Sequence, residues 1–266
     1  MDKIIEELGK IGIVPVVVIE DADKAVPMAK ALCEGGLPAA EVTFRTAAAK
    51  DAIAAMRGAY PDMITGAGTV LTVKQAEDAL EAGAQFIVSP NFDEEVVRYC
   101  LDRKVPVLPG CATPSEVGKA VAMGLTEVKF FPAEQAGGLA MIKAMAAPFR
   151  GIRFMPTGGI NKDNIGAYLD APEVIACGGS FMVKSADISA GNFDKIRNET
   201  AEAVKKMLSL TFVGRENNVN IMSSKRPERA VYHISRMGAE FDEGTAVYDE
   251  KGLVSIEGAG MRIVRG

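Results

Sequence analysis

The chain has 266 residues, of which 48% are hydrophobic and 24% charged, and its formal net charge is -5. This length allows one large α/β domain with a small appendage, or two ordinary domains. The composition is typical of a globular protein and argues against disordered, fibrous and membrane-spanning classes. The negative charge argues against a nucleic-acid partner, although a local cluster of donors can still bind an anion.

The cysteines and the first apolar run indicate the cellular compartment of the protein. No C-x-x-C pair occurs, so neither a zinc site nor a disulfide framework is predicted and reduced thiols are expected. The apolar run 11–19 contains Gly12 and Pro15, which favours a buried strand over a signal sequence. No run approaches the roughly 20 apolar residues of a membrane span. We therefore expect a cytoplasmic protein with no membrane partner. The cysteines are Cys33, Cys100, Cys111 and Cys177.

Short β-branched apolar runs alternate with amphipathic Ala-, Glu- and Lys-rich segments along most of the chain. The repeat of about 26 residues indicates βαβ crossovers and a parallel sheet. Eight such units predict a (β/α)8 TIM barrel over residues 1–208. A doubly wound open sheet is less favoured, because no G-x-G-x-x-G opens a helix after an early strand. The predicted strands are 11–19, 39–45, 63–70, 86–90, 105–110, 127–133, 152–159 and 174–182.

Residues 211–266 have a different pattern, which predicts a small α+β appendage. Strand-like residues 211–222 precede a predicted helix from Arg226 to about Phe241, and two further strand-like stretches follow at 245–258 and 261–266. The sole histidine, His233, falls in this helix. A solvated or packed histidine is more typical there than a metal ligand.

Strand alternation places chemically active side chains on one face of two predicted strands. Glu41, Thr43 and Arg45 share a face of the second strand, and Lys129 and Phe131 share a face of the sixth. The working residues of an α/β barrel lie at the carboxyl ends of its strands. We therefore expect Glu41, Arg45 and Lys129 to point into the barrel.

Two interpretations of Lys129 are open. As a structural residue it forms a buried ion pair with Glu41 or Glu127, since buried lysines are usually paired. As a functional residue it is kept neutral by desolvation and by a neighbouring cation such as Arg45, and it attacks carbonyl groups. A nearby carboxylate opposes neutralisation but can shuttle protons.

Glycine pairs follow the seventh and eighth predicted strands. Phosphate sites recur at this place in α/β barrels, because backbone N–H groups can converge there on an anion. A Gly-Gly pair alone is more typical of a turn, but two in successive units are more specific. Thr69 is a further candidate, for a substrate carboxylate, and Pro90 for the wall of the pocket. The candidates at the glycine pairs are Thr157, Gly158, Gly159, Gly179 and Ser180.

Seven motifs in a fixed order resemble one known family. They are PVVVIED, EVTFRT, GAGTVLT, GAQFIVSP, KFFPAE, PTGGI and GGSFM. This series, over about residues 3–208, resembles the KDPG/KHG aldolases. These are class I aldolases acting on 2-keto-3-deoxy-6-phosphogluconate (KDPG) and 4-hydroxy-2-oxoglutarate (KHG). The resemblance implies a homotrimeric (β/α)8 barrel without metal or cofactor, acting in the Entner–Doudoroff branch of carbohydrate metabolism.

The resemblance also implies roles for individual residues. Lys129 matches the Schiff-base lysine and Glu41 the acid/base. The implied reaction releases pyruvate and glyceraldehyde 3-phosphate from KDPG, or pyruvate and glyoxylate from KHG, and the preference between these keto acids stays open. The residues implied at the pyruvyl end are Arg45, Thr69, Pro90 and Phe131. Those implied at the phosphate end are Gly158, Gly159, Gly179 and Ser180.

Two positions depart from familiar patterns. Phe181 stands where many family members carry tryptophan, a conservative change. Residues 211–266 loosely resemble half of a βαβββ glyoxalase-like module, but Asn220 stands where such modules often place a metal-binding histidine. We therefore expect no metal and interpret this segment as an interaction or vestigial segment.

Three other functions compete with this aldolase activity. A metal-dependent sugar-phosphate epimerase usually needs two or more histidines, and His233 lies outside the predicted barrel. A non-catalytic phosphate-metabolite binding barrel does not require Lys129 with Glu41. An aldolase for another 2-keto-3-deoxy sugar acid stays open.

Overall fold

The computed structural model describes residues 2–266. A short 3₁₀ helix spans Ala22–Lys24. The α-helices are α1 (Lys3–Ile11), α2 (Ala25–Glu34), α3 (Ala49–Ala59), α4 (Val73–Glu81), α5 (Glu94–Asp102), α6 (Pro114–Ala122), α7 (Gly138–Ala146), α8 (Ile165–Leu169), α9 (Ser185–Ser189), α10 (Phe193–Leu208) and α11 (Pro227–Arg236).

The strands up to residue 179 alternate with helices. They are β1 (Ile13–Val17), β2 (Ala39–Thr43), β3 (Ile64–Gly68), β4 (Ile87–Val88), β5 (Val107–Leu108), β6 (Glu127–Phe130), β7 (Arg153–Pro156) and β8 (Cys177–Gly179). The later strands are β9 (Thr211–Glu216), β10 (Val219–Ser224), β11 (Phe241–Asp249), β12 (Gly252–Gly258) and β13 (Met261–Arg265).

Strands β1 to β8 pair in parallel, which confirms the predicted α/β class. One sheet has the order β5-β4-β3-β2-β1-β8, and a second contains β6 and β7. Single parallel bridges connect the two sheets. Gly110, two residues after β5, pairs with Lys129 of β6, and Thr157, directly after β7, pairs with Gly178 of β8. Every residue of β1, β2 and β3 is buried, as expected when helices cover the sheet.

All eight strands of the α/β region are shorter than predicted, and two helices also differ from the sequence prediction. The eighth strand spans only Cys177–Gly179, shorter than the predicted 174–182. The helix predicted to reach about Phe241 ends at Arg236, because Gly238 adopts a left-handed φ of +94° and ends the helix, and Phe241 begins β11. Helix α1 was not predicted. The Asp2 carboxylate accepts a 2.8 Å hydrogen bond from the Ile4 amide at its start.

The C-terminal segment, residues 211–266, forms a five-stranded sheet with the order β11-β12-β13-β10-β9. Helix α11 packs against this sheet. Leu253, Ile256 and Ile263 are buried in its core.

Side chains of α11 attach this segment to the amino ends of the strands. Arg229 donates to the Gly9 carbonyl at 3.0 Å, and His233 Nε2 lies 3.0 Å from the Ile11 carbonyl. Both carbonyls belong to the last turn of α1, where four C=O groups lack intrahelical partners. His233 is thus packed, in agreement with the sequence analysis.

A second contact forms at the end of α8. Arg226 donates to the carbonyls of Leu169 and Ala171, both at 2.9 Å. Lys225 forms a 2.7 Å ion pair with Asp170. Because the ends of α1 and α8 precede β1 and β8, the C-terminal segment lies at the end of the strands opposite to the one expected to carry the chemistry.

Two global properties concern the described residues only. The cysteines at 33, 100, 111 and 177 are not joined in disulfides, and all but Cys33 are buried. Every helix within residues 2–266 falls short of the length and apolar character needed to cross a membrane.

Candidate active site

A buried ion pair joins two strands of the α/β region. Lys129 lies on β6 and is 4% exposed, and Glu41 lies on β2 and is fully buried. The Lys129 ammonium nitrogen donates to Glu41 Oε1 at 3.1 Å. Glu127, the other carboxylate considered for Lys129, pairs instead with Arg153 at 2.5 Å. The structure therefore selects Glu41 as the partner.

The environment of Glu41 leaves one oxygen available. Glu41 Oε2 is buried and, within residues 2–266, has no hydrogen-bond partner. Gly68 on β3 makes room for this side chain, because a Cβ at Gly68 would overlap Glu41 Oε1. An unsatisfied buried carboxylate oxygen costs about 1–3 kcal/mol or more. Such an oxygen inside a protein is a candidate for contact with a ligand.

Phe131 forms part of the wall beside the amine. The Lys129 nitrogen lies 5.6 Å from the centre of the Phe131 ring, within the range of a cation–π contact. Backbone pairing brings a second wall close. Gly110 bridges to Lys129, and a Cβ at Gly110 would overlap the Pro90 carbonyl oxygen. Phe131 therefore follows the Lys129 strand directly, and Pro90 lies one strand further away, on the other side of Gly110.

Arg45 and Thr69 meet after the carboxyl ends of β2 and β3. Arg45 Nε donates to Thr69 Oγ1 at 3.3 Å. Thr69 has a φ of +55°, a conformation that is rare for a β-branched residue and often found at functional sites. Thr43, expected on the same face, instead donates to the Val17 carbonyl at 2.9 Å and is structural.

The first glycine pair lies against the Lys129 strand. Gly158 and Gly159 have left-handed φ values of +98° and +79°, which glycine adopts at little cost. A Cβ at Gly158 would lie 3.3 Å from Pro132 Cα and 3.4 Å from the Phe131 ring. This turn therefore adjoins the wall beside Lys129.

The second glycine pair adjoins the first. A Cβ at Gly178 would overlap Thr157 Oγ1, and that hydroxyl is buried without a hydrogen-bond partner in the described chain. Ser180 is exposed immediately after β8. A Cβ at Gly179 would lie 3.0 Å from the Phe181 ring.

Sequence reasoning missed four residues around the first glycine pair. Tyr168 donates a hydrogen bond to Glu134, and burial together with this carboxylate raises the Tyr168 pKa well above its usual value. Asn161 and Asn164 both donate to the Gly159 carbonyl. Two asparagines, two and five residues after the second glycine, form a local side-chain-to-backbone signal that could have been read from the sequence.

No cluster of three or more His, Cys, Asp or Glu side chains in residues 2–266 is arranged to hold a metal ion. An interior amine in contact with a carboxylate can supply a nucleophile and a base for reaction with a carbonyl group once the amine has lost its proton.

Comparison with known proteins places the chain in a family. Residues 4–199 match the KDPG and KHG aldolase family. The chain is 50% identical over 196 residues to the 2-dehydro-3-deoxy-phosphogluconate aldolase of Treponema pallidum (strain Nichols), covering 74% of this chain and 93% of that protein. It is 44% identical over 193 residues to the KHG/KDPG aldolase of Escherichia coli (strain K12), covering 73% and 91%.

A solved structure agrees. The crystal structure of the KDPG aldolase from Legionella pneumophila, with pyruvate captured at low pH as a covalent carbinolamine intermediate, superposes with a TM-score of 0.72. It has 37% sequence identity and covers 75% of this chain and 97% of that chain. This chain belongs to the KDPG and KHG aldolase family, which confirms the predicted aldolase class. The C-terminal segment lies outside the matched residues.

Proposed function

We propose that this chain is a class I aldolase that cleaves KDPG to pyruvate and glyceraldehyde 3-phosphate and also cleaves KHG to pyruvate and glyoxylate. The observation that carries the proposal is the buried contact of 3.1 Å between Lys129 and Glu41, whose second oxygen has no partner in residues 2–266. The names of the T. pallidum and E. coli relatives support both substrates.

Lys129 acts as the nucleophile. Its amine must lose a proton before it attacks the C2 ketone, and Glu41, already hydrogen-bonded to it, is placed to accept that proton. Attack gives a carbinolamine. The protonated Glu41 then gives its proton to the carbinolamine hydroxyl, which leaves as water, so that an iminium ion linked to Lys129 forms and the Glu41 carboxylate is restored. The carbinolamine of pyruvate in the L. pneumophila relative supports this step.

Glu41 then serves as the base for carbon–carbon cleavage. It removes the proton of the C4 hydroxyl, directly or through a water, and the C3–C4 bond breaks. The bonding electrons move into the iminium, which becomes an enamine, and the C4 fragment leaves as an aldehyde. Proton return to C3 and addition of water release pyruvate and restore the amine. No metal is needed, because the iminium is the electron sink.

The remaining site residues bind the two ends of the substrate. Arg45 and Thr69, already hydrogen-bonded to each other, hold the pyruvyl carboxylate. Phe131 and Pro90 line the pocket of the pyruvyl methylene. Residues of the two glycine turns receive the phosphate, and they are Thr157, Gly158, Gly159, Gly179 and Ser180.

The architecture is proposed in the same sense. The strand order together with the Gly110–Lys129 and Thr157–Gly178 bridges supports closure of the eight strands into a (β/α)8 barrel over residues 1–208. Residues 211–266 form a separate small α+β unit attached to the amino ends of the strands. A homotrimer, a cytoplasmic location and a place in the Entner–Doudoroff route stay predictions.

Trapping with borohydride tests the proposal. Pyruvate and borohydride are added to the purified protein, and the reduced adduct is located by peptide mass mapping. We expect one pyruvyl adduct, on Lys129, and release of pyruvate from both keto acids without added metal. An adduct on an exposed lysine such as Lys50, or no adduct, would contradict the mechanism. Unchanged metal-free turnover after Lys129→Met would remove the lysine from its role.

A further inference from the structure

The turn after β7 has its carbonyl groups occupied by the protein. The Gly158 carbonyl accepts a 3.1 Å hydrogen bond from the Glu134 amide. The Gly159 carbonyl accepts two, from the side-chain amides of Asn161 at 3.2 Å and Asn164 at 3.0 Å. Consecutive carbonyls are therefore fixed in direction, the second by two side chains that the sequence analysis did not identify.

The N–H groups of the same peptide units are left as donors. The carbonyl of one residue and the N–H of the next point in opposite directions across a planar trans peptide. Holding the Gly158 carbonyl thus orients the Gly159 N–H, and holding the Gly159 carbonyl orients the Ile160 N–H. Within residues 2–266 neither N–H donates a hydrogen bond.

The two asparagines are themselves fixed. Asn161 Oδ1 accepts from the amides of Asp163 at 2.8 Å and Asn164 at 3.3 Å, and Asn164 Oδ1 accepts from the Asn161 amide at 2.9 Å. Each side chain therefore uses its oxygen as an acceptor inside the turn and its nitrogen as a donor to Gly159. Only an amide side chain combines these two functions in a neutral group of this size.

In the neighbouring turn after β8, no side chain of residues 2–266 donates a hydrogen bond to the Ser180 carbonyl. The Ser180 carbonyl accepts from the Val183 amide at 3.1 Å, whereas the Ser180 N–H has no acceptor in the described residues. The second turn thus keeps its own shape through the backbone alone. In the first turn the Gly159 N–H is oriented through the Glu134 backbone amide, whereas the orientation of the Ile160 N–H depends on two replaceable side chains.

We propose that Asn161 and Asn164 are positioning residues for the phosphate end of the substrate and thereby set the preference for phosphorylated over non-phosphorylated keto acids. This proposal rests on the proposed function. The pair holds the Gly159 carbonyl back, so that the Ile160 N–H, together with the Gly159 N–H, presents a donor to an anion. A carbonyl released from the pair can rotate toward the anion and replace attraction by repulsion.

The proposal predicts a loss confined to one substrate. KDPG and KHG share the pyruvyl half, which binds at Lys129, Arg45 and Thr69. Only KDPG carries a phosphate to meet the turn. Disturbing the asparagine pair should therefore raise KM for KDPG while leaving its kcat, and both constants for KHG, nearly unchanged.

The test uses the full-length variants Asn161→Ala, Asn164→Ala and the double variant, with steady-state kinetics on both keto acids. We expect KM for KDPG to rise about tenfold in the double variant, as for loss of one charge-assisted hydrogen bond. Inhibition by inorganic phosphate should weaken by a similar factor. The control is Asp163→Ala, which removes an exposed side chain of the same turn but keeps the backbone amide that bonds to Asn161; its KM values should stay within about twofold.

Trapping of pyruvate on Lys129 separates the possible failures. If the double variant traps pyruvate as the wild type does but its KM for KDPG is unchanged, the positioning role is wrong and the proposed function stands. If both keto acids lose activity to the same extent, the asparagines support the fold of the site and the specificity role is also wrong. If the wild type itself traps no pyruvate, the proposed function fails first.

Discussion

Lys129 and Arg229 are two buried cations at opposite ends of the strands, and their partners differ in kind. Lys129 is 4% exposed and lies 3.1 Å from a carboxylate oxygen of Glu41. Arg229 is 7% exposed and donates to two carbonyls, Gly9 at 3.0 Å and Ile175 at 3.5 Å. Both side chains lose hydration on folding, but only one of them meets a group that can accept its proton.

The difference explains why one end of the molecule is suited to chemistry and the other to attachment. A carboxylate can take a proton from an amine and leave a nucleophile, whereas a backbone carbonyl cannot. A guanidinium stays charged and spreads its donors over a planar fork, which suits it to bridging several carbonyls. Burial, reinforced by Arg226, lowers the Arg229 pKa to about 10, so this side chain remains a cation at neutral pH.

The largest effect is expected at the lysine. Lys129→Met should lower kcat for both keto acids by about 10⁴-fold or more, because the covalent route is lost and not merely slowed. Steady-state assays at saturating substrate measure it. The variant also leaves Glu41 buried without its partner, so Lys129→Met combined with Glu41→Gln should unfold at a higher temperature than Lys129→Met alone. The opposite order would mean that the ion pair is not the reason for the stability of this site.

A smaller loss is expected at the carboxylate. Glu41→Gln keeps the volume and removes the base, so kcat should fall by about 10²–10⁴-fold while borohydride trapping of pyruvate on Lys129 still proceeds. Single-turnover assays together with trapping check the two steps separately. Unchanged turnover would remove Glu41 from its role.

The two ends also differ in how much the sequence reveals. Because strand side chains alternate with period two, the sequence predicts that Lys129 and Glu41 face the interior, and the family resemblance implies their roles. Arg229 gives no such signal. The contribution of Arg229 to stability depends on carbonyls at the end of α1 that lack helical partners, and these lie more than 200 residues away in the chain. Asn161 and Asn164 differ from Arg229 in this respect, because they lie two and five residues after Gly159, where local side-chain-to-backbone hydrogen bonds can be expected from the sequence.

The third prediction concerns attachment. Arg229→Met keeps an unbranched apolar stem but leaves the carbonyls of Gly9 and Ile175 without their donor, so the free energy of unfolding should fall by about 2–4 kcal/mol. Urea unfolding measures this change. Because the site lies at the other end of the strands, kcat at a temperature where the variant is folded should match the wild type. Arg236→Met, an exposed change on the same helix, should cost less than about 1 kcal/mol. If both variants lose the same free energy of unfolding, the hydrogen bonds of Arg229 to the two carbonyls do not stabilise the attachment.

The smallest effect is expected at His233 and only in acid. Burial lowers the His233 pKa from 6.5 to about 4, an effect opposed by its bond to the Ile11 carbonyl and reinforced by Arg229 and Arg236. Below about pH 6.5 the unfolded chain therefore binds a proton at His233. The folded chain does not bind this proton until the pH falls to about 4. The free energy of unfolding must therefore decrease as the pH is lowered from about 6.5 to about 4, and His233 contributes up to about 3 kcal/mol to this decrease.

His233→Gln isolates that contribution. Glutamine can still donate to the Ile11 carbonyl but does not titrate, so the stability difference between variant and wild type should shift in favour of the variant as the pH falls from 7 to 4. Urea unfolding at several pH values measures the difference, which cancels the carboxylates common to both proteins. Parallel stability curves would mean that His233 is protonated as readily in the folded chain as in the unfolded one, and that the attachment site tolerates a second buried charge beside Arg229.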